Sequence, residues 1–76
     1  MTSAQSRAAR GLVSITQAEL ARRARLGEST IVDFERERRV VSAEAIAAIR
    51  VALEAAGVDF IEENGGGAGV RLRKEK

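Results

Sequence analysis

The sequence predicts a mostly α-helical domain that ends in a short β-hairpin. Three observations lead to this fold class. Apolar residues recur at helical spacing through most of the chain, Thr or Ser residues stand where helix N-caps are needed, and strand-like runs flank a glycine cluster near the carboxyl end. A chain of 76 residues can bury only one core. We therefore expect a single four-helix unit with a hairpin attached to it.

The first helix is predicted over residues 3–13. Thr2, followed three residues later by Gln5, has the form of a capping box, in which a hydroxyl and an amide side chain each satisfy a free backbone N–H of the first turn. The apolar residues that follow at helical spacing are expected to form its inner face: Ala8, Ala9, Leu12 and Val13.

The second and third helices are predicted over residues 17–24 and 28–36, with a short turn between them. Thr16 with Glu19 repeats the capping-box pattern at the start of the second helix, where the carboxylate is expected to reach back to the backbone. A new apolar rhythm begins after the turn. The side chains expected to pack the two helices together are Leu20, Ala24, Leu26, Ile31 and Phe34.

A fourth helix and a hairpin are predicted for the rest of the chain. Ser42 is placed to cap the helix and Gly57 to end it. Val58–Glu62 and Val70–Arg73 are predicted to be strands, and Asn64–Gly67 can supply the positive-φ positions of a turn. The alternative is a glycine linker with a frayed tail, because a lone two-stranded hairpin is marginal in water. The apolar face of the helix is expected to comprise Ile46, Ile49, Leu53 and Ala56.

The composition argues against several classes of function. The chain has no His and no Cys, so the commonest metal ligand, the commonest proton carrier and any disulfide framework are missing. No paired carboxylates stand in a pattern typical of an active site. We therefore expect no enzyme, no metal and no cofactor. No apolar run approaches the roughly 20 residues of a membrane span, so we expect no membrane insertion and a cytoplasmic location.

The charge is distributed unevenly although the net charge is only +2. Residues 1–41 hold eight Arg against five acidic residues, a balance of +3, while residues 42–76 hold five basic against six acidic residues, a balance of −1. The amino-terminal half can therefore form an anion-binding face, and nucleic acid is one partner that such a face would bind. A solvated helix surface is the alternative interpretation.

Two segments carry a resemblance to a known family. Residues 16–24 open with Thr-Gln-Ala-Glu-Leu-Ala and end in a small residue, while residues 28–36 carry Ser-Thr-Ile and close with Phe34-Glu35. In this combination they resemble the helix-turn-helix of the Xre family, the phage repressor and Cro type. The likeness covers about residues 4–56. The glycine-rich carboxyl-terminal stretch also looks like a tail found on very small members of the family.

The resemblance implies a repressor-like helix-turn-helix domain whose third helix lies in the major groove of double-stranded DNA. Carboxylates on that helix can only accept hydrogen bonds from bases, and no arginine is placed there for a guanine contact. Base edges are expected to be contacted by Glu28, Ser29, Thr30 and Asp33. Phosphates are expected to be contacted by Gln17, Arg22, Arg36, Arg38 and Arg39.

The chain is expected to have two parts, and the hairpin is the candidate dimer contact because its apolar side chains and free strand edge need cover. Residues 1–57 would form the DNA-binding domain, with the helix-turn-helix at about 16–36, and residues 58–76 would form a hairpin and tail that contact a second subunit. Family members often pair an Arg of the first helix with the Glu that closes the third, and those places hold Arg10 and Glu35. Dimer contacts are expected from the apolar hairpin residues Phe60, Ile61, Val70 and Leu72.

Three positions depart from the family pattern. Arg25 stands in the turn and Glu37 after the third helix, where glycine is usual, and Val41 occupies a common proline place. A non-glycine residue in the left-handed conformation costs on the order of 1 kcal/mol. We therefore expect either strain or a reshaped turn at Arg25 and Glu37.

Two functions from different classes follow from these patterns. The first is a sequence-specific transcriptional regulator, a repressor or autoregulator, that binds a palindromic operator as a homodimer in the bacterial nucleoid. The second is a helix-turn-helix fold used as a protein-binding module of the antiactivator kind, with no DNA binding of its own. Acidic residues on and beside the third helix motivate the second hypothesis: Glu28, Asp33 and Glu37.

Overall fold

The computed structural model describes residues 1–63 and 65–73. This part of the chain contains four helices and a two-stranded antiparallel hairpin, so the predicted fold class is confirmed. Asn64 of the predicted turn and residues 74–76 of the predicted tail lie outside the described residues. The elements are α1 (Ser3–Val13), α2 (Gln17–Ala24), α3 (Glu28–Glu35), α4 (Ala43–Ala55), β1 (Val58–Ile61) and β2 (Gly69–Leu72).

Helix α1 begins with the predicted capping box. The Thr2 hydroxyl accepts a hydrogen bond from the Gln5 backbone N–H at 3.1 Å, and the Gln5 side-chain oxygen accepts one from the Thr2 N–H at 2.8 Å. The amide nitrogen of the same Gln5 side chain donates to the carbonyl oxygens of Ile61, at 3.3 Å, and Gly69, at 3.0 Å. One side chain therefore caps the helix and ties it to the hairpin.

The inner face of α1 differs from the expected one. Ala9 is fully buried and Val13 packs against the core, as predicted, but Ala8 and Leu12 are exposed. Ser6 is buried in their place because its hydroxyl has a hydrogen-bond partner inside the molecule. The buried face of α1 therefore includes polar residues and differs from the face that apolar spacing predicts.

Helix α2 has half of its predicted capping box. The Thr16 hydroxyl accepts a hydrogen bond from the Glu19 backbone N–H at 3.0 Å. The Glu19 carboxylate does not return to the Thr16 backbone, and the expectation that it would is wrong. It accepts instead from the guanidinium groups of Arg22 and Arg23, which lie one turn further along the same helix.

Two non-glycine residues close α2 and α3 in the left-handed conformation, with φ of 59° at Arg25 and 55° at Glu37. The residue after each of them donates its N–H back across the last turn: Leu26 to a carbonyl of α2, and Arg38 to the Asp33 carbonyl, both at 2.9 Å. This is the Schellman closure, which usually employs glycine. The predicted third helix, 28–36, is one residue too long, because the chain leaves helical geometry at residue 36 to make this turn.

The last part of the fold follows the prediction closely. The Ser42 hydroxyl caps α4, and Gly57, at φ of 111°, turns the chain out of it. In the hairpin, Val58 pairs with Leu72. Strands β1 and β2 contact α1, and β1 also contacts α4, which replaces the frayed-tail alternative with a packed hairpin.

A single core joins all these elements. Its members are small or aliphatic, so the helices approach closely. Val41, which stands at the common proline place noted above, is also buried. The buried core residues are Ala9, Leu20, Ala21, Ile31, Ile49, Ala52, Leu53 and Val58; Ala24, Leu26, Phe34, Phe60 and Val70 pack against them.

The left-handed residues predict a gain in stability from glycine. Arg25→Gly and Glu37→Gly should each raise the free energy of unfolding by about 0.5–1 kcal/mol, because glycine removes the steric penalty of positive φ. Thermal unfolding should show a rise of several degrees in Tm for each variant. Arg36→Gly is the matched control: its φ is −97°, so glycine there should lower Tm by loosening the unfolded chain. Unchanged or lower Tm values for both glycine variants at positive φ would contradict this account.

Candidate nucleic-acid interface

Helix α3 has one face in the core and the other in solvent. Leu20 of α2 and Ile31 of α3 are fully buried, and Phe34 packs against them. On the opposite side of α3, Glu28 and Ser29 are exposed. Helices α2 and α3, which are joined by a turn of three residues, thus share a core, and α3 exposes a polar surface to solvent.

The buried Glu35 carboxylate holds the carboxyl end of α3 against the other helices. Its side chain has 0% exposed area and receives the Arg10 guanidinium in a fork, with Nη2 to Oε1 at 2.7 Å and Nε to Oε2 at 2.9 Å. The Ser6 hydroxyl donates to the same carboxylate at 2.6 Å and the Gln17 amide at 3.1 Å. Arg7 donates to the backbone carbonyl of Glu35. Donors from α1 and α2 therefore converge on the end of α3.

The electrostatics of this site favour the ionised carboxylate. Burial by itself would raise the pKa of Glu35, but hydrogen bonds from Arg10, Ser6 and Gln17, together with the charge of Arg10, lower the pKa below its ordinary value. Breaking the ion pair of a buried charge is strongly destabilising, because the remaining charge is left uncompensated. The position of α3 therefore depends on α1 and on the start of α2.

The residues predicted to contact bases lie on or near the outer face of α3. Glu28 and Ser29 are exposed, and Thr30 and Asp33 are half-buried. The Asp33 carboxylate accepts a hydrogen bond from the Nε of Arg39 at 2.8 Å, so one of the two acidic groups on this face has a cationic partner.

The residues predicted to contact phosphates fall into two groups. Arg36 and Arg38 are exposed, and neither has an ion-pair or side-chain hydrogen-bond partner among residues 1–63 and 65–73. The other three are engaged within the protein. Gln17 donates to Glu35, Arg22 donates to Glu19, and Arg39 donates to Asp33.

The Glu19 carboxylate is the acceptor of a second, exposed cluster of charge. Hydrogen bonds from Arg22 and Arg23 lower the pKa of Glu19 to about 2. Both guanidinium groups lie on the solvent side of α2. Salt and solvent screen such exposed pairs, so their contribution to stability is small.

The four hairpin residues predicted to form a dimer contact occupy different surroundings. Phe60 and Val70 are cross-strand partners and pack against the core of their own chain. Ile61 is half-buried and pairs with Gly69. Leu72 is 53% exposed, which makes it the most exposed of the four.

Three polar contacts of α1 were not predicted from the sequence: those of Ser6 and Arg7 with α3 and that of Gln5 with the hairpin. Ser6 and Gln5 are buried on α1, and Arg7 reaches the carbonyl of Glu35. A helix face lined by Gln and Ser next to alanine gives no periodic signal. Only the capping-box pattern marked Gln5, and nothing in the sequence marked its second role at the hairpin.

The two packed helices and the outward polar face of α3 define the class of a DNA-binding helix-turn-helix regulator. A helix-turn-helix family model matches residues 7–58. The chain therefore belongs to the Xre/Cro-type helix-turn-helix family. No curated protein matches the chain. Among the described residues, none of the helices has the length and apolar character needed to cross a membrane.

The Glu35 network predicts a specific dependence of stability on pH. Because the pKa of Glu35 is lower in the folded protein than its ordinary value of 4.5, its contribution is complete above that pH and is lost as the pH falls below it. Glu35→Gln should lower the free energy of unfolding near neutral pH by about 3 kcal/mol, since Arg10 loses its charged partner. It should also flatten the decline in acid. Urea unfolding across this pH range measures both effects.

The matched control for this prediction is Glu19→Gln, which removes an exposed carboxylate that also binds arginine. It should change stability near neutral pH far less than Glu35→Gln, because water and salt already screen its ion pairs. Equal effects of the two substitutions would show that burial is not what makes Glu35 important.

Proposed function

We propose that the chain is a sequence-specific transcriptional regulator that binds double-stranded DNA with α3. The observation that carries this proposal is the placement of α3: Glu35 anchors its carboxyl end, while Glu28 and Ser29 in its first turn project into solvent. A helix held outward in this way fits the major groove, which is about 12 Å wide. The family of the chain is a DNA-binding one, which supports the same assignment.

The outer face of α3 is proposed to supply the base contacts. The Ser29 and Thr30 hydroxyls can serve as donors or acceptors to base edges. The Glu28 and Asp33 carboxylates can accept from an exocyclic amine, such as N4 of cytosine. Four polar groups over about two turns match the few base pairs that one recognition helix reads.

The arginines beyond α3 are proposed to bind the phosphate backbone. Arg36 and Arg38 are exposed and uncommitted within the described residues, so they can approach a phosphate without breaking an internal ion pair. Gln17 uses one amide N–H for Glu35 and can offer the other to a phosphate at the start of α2. The Arg22 side chain is 72% exposed and can exchange Glu19 for a phosphate at little cost.

A homodimer on an inverted repeat is the proposed mode of binding. One helix reads too few base pairs for useful specificity, whereas two copies can read half-sites about 34 Å apart. Binding at a promoter would then repress transcription, including that of the regulator's own gene, and would place the protein at the bacterial nucleoid in the cytoplasm.

The hairpin is proposed as the dimer contact, with residues 1–57 as the DNA-binding domain and residues 58–76 as the dimerisation segment. Phe60 and Val70 would support this contact indirectly, because their side chains pack against the core of their own chain and hold the hairpin in place. Leu72, with half of its side chain in solvent, and the neighbouring edge of the hairpin are the parts available to a second copy.

A protein-binding role for α3 is the second candidate function. Glu28 and Glu37 are exposed beside the DNA-facing surface, and neither forms an ion pair in residues 1–63 and 65–73. Unpaired carboxylates oppose the approach of phosphates and favour a basic protein partner. A module of this kind would retain no particular sequence from a pool of genomic fragments, whereas a regulator would enrich one motif.

The proposed function predicts a strong effect of salt on DNA binding. For a duplex enriched from genomic fragments, the logarithm of the binding constant should fall linearly with the logarithm of salt concentration, with a slope of about −0.9 per neutralised phosphate. Arg36→Ala should weaken binding to this duplex and to an unrelated one alike and reduce the slope by about 1. Fluorescence anisotropy at several salt concentrations measures both.

Base reading is tested in the same experiment with two carboxylates that each lie in the first turn of a helix. At one position of each half-site, Glu28→Ala should reduce the discrimination between the preferred base and the other bases by about 1–3 kcal/mol. Glu44→Ala, which removes the corresponding carboxylate of α4, should leave the preferred sequence unchanged. If the wild-type protein enriches no motif and its binding does not respond to salt, the regulator hypothesis is wrong and the protein-binding role is favoured.

The dimer proposal makes a separate prediction for Leu72. Leu72→Asp should weaken self-association by about tenfold or more, because it replaces an apolar contact with a desolvated charge. The fold should be retained, since the side chain is largely exposed in one copy. Sedimentation measures association and circular dichroism measures the fold. If the wild-type protein is a monomer at micromolar concentration, the hairpin is not a dimer contact.

A further inference from the structure

Arg39 lies beside the outer face of α3 although it belongs to the loop that follows the helix. Its Nε donates to Oδ2 of Asp33 at 2.8 Å. The backbone makes this return possible: Glu37 turns the chain in the left-handed conformation, and the Arg38 N–H binds the Asp33 carbonyl at 2.9 Å. The closing turn of α3 thus carries the guanidinium back over the helix that it ends.

The Asp33–Arg39 pair matters for position more than for stability. The two side chains are 23% and 52% exposed, and ion pairs with this much solvent access contribute little to folding. What the pair determines is the orientation of the guanidinium. Nε is occupied by the carboxylate, while Nη1 and Nη2 have no hydrogen-bond partner within residues 1–63 and 65–73.

Two free, parallel Nη groups match one base edge in the major groove. Guanine presents O6 and N7 as neighbouring acceptors, and an arginine bonded to both is the commonest specific contact between proteins and DNA. A phosphate is a poorer partner for this group, because the Asp33 carboxylate next to the guanidinium would repel it. The acceptors of guanine carry only partial charges, so the carboxylate repels them much less than it repels a phosphate. Arg36 and Arg38, which have no acidic partner in the part of the chain that the structure describes, remain better suited to phosphates.

We propose that Arg39 reads a guanine in each half-site and that Asp33 is the positioning residue that orients it. This proposal rests on the proposed function and assigns Arg39 to base recognition, where the sequence predicted a phosphate contact. It also supplies an arginine–guanine contact that the residues of α3 itself lack. The role of Asp33 is then to hold Nε, so its acidic character assists base reading.

The test uses the full chain and the duplex that it enriches from a randomised pool. One guanine at a time is replaced with 7-deazaguanine, which keeps base pairing but lacks the N7 acceptor. Wild-type protein should lose affinity at one guanine of each half-site, and a whole bidentate contact is worth about 5- to 150-fold. Arg39→Ala should bind the unmodified duplex more weakly and should no longer respond to that replacement. Its salt slope should equal that of the wild type.

Two further variants separate base reading from phosphate binding. Arg38→Ala, the matched control, should reduce the salt slope by about 1 and keep the response to 7-deazaguanine. Asp33→Ala should reduce that response without changing the slope. Combining it with Arg39→Ala should add no further loss of guanine preference, as expected for residues acting through one contact. Thermal melts verify that each variant is folded.

The outcomes distinguish this inference from the function on which it rests. If Arg39→Ala weakens all duplexes equally and lowers the salt slope by about 1, Arg39 binds phosphate and the inference is overturned while DNA recognition stands. A recognised duplex with no sensitive guanine also overturns it. If the wild-type protein enriches no duplex, both the inference and the proposed function fail.

Discussion

The arrangement of this small domain depends on one buried negative charge. Glu35 lies at the end of α3, and its carboxylate is solvated by side chains of Ser6 and Arg10 from α1 and Gln17 from α2. Removing Arg10 would leave this charge without a cationic partner in an apolar interior, which costs several kcal/mol. The apolar contacts between the helices are made partly by alanine and supply little directionality. The polar network therefore adds directional contacts to the apolar packing that holds α3.

The elements of the fold were predictable where the signal is local. Thr2, Thr16 and Ser42 cap the helices at which they were placed, because a cap depends on residues within one turn. The inner face of α1 was predicted only in part. Burial of Ser6 and Gln5 requires acceptors on α3 and on the hairpin, and no pattern within α1 reports on those distant groups. The Glu19 carboxylate likewise binds Arg22 and Arg23, whereas the capping-box pattern predicted a bond to the Thr16 N–H.

The candidate surface was predictable in residue type but not in connectivity. Which side chains lie on α3 follows from helical spacing and from the family resemblance, whereas the partner of each long side chain depends on how the chain turns after the helix. Glu37 adopts a positive φ without being glycine, and this turn brings Arg39 to Asp33. The resulting ion pair changes what each residue can offer to DNA, and it could not be predicted without the geometry of this turn.

The hydrogen bonds from Gln5 to the hairpin have a consequence for how the protein is made. A side chain in the first turn of α1 takes its acceptors from residues 61 and 69, so these contacts span 56 and 64 positions of the chain. On the ribosome, α1 emerges long before those carbonyl groups exist. The amide nitrogen of Gln5 must therefore find other partners, such as water, while the intervening helices are synthesised. The final packing of the molecule becomes available only after the second strand has left the exit tunnel.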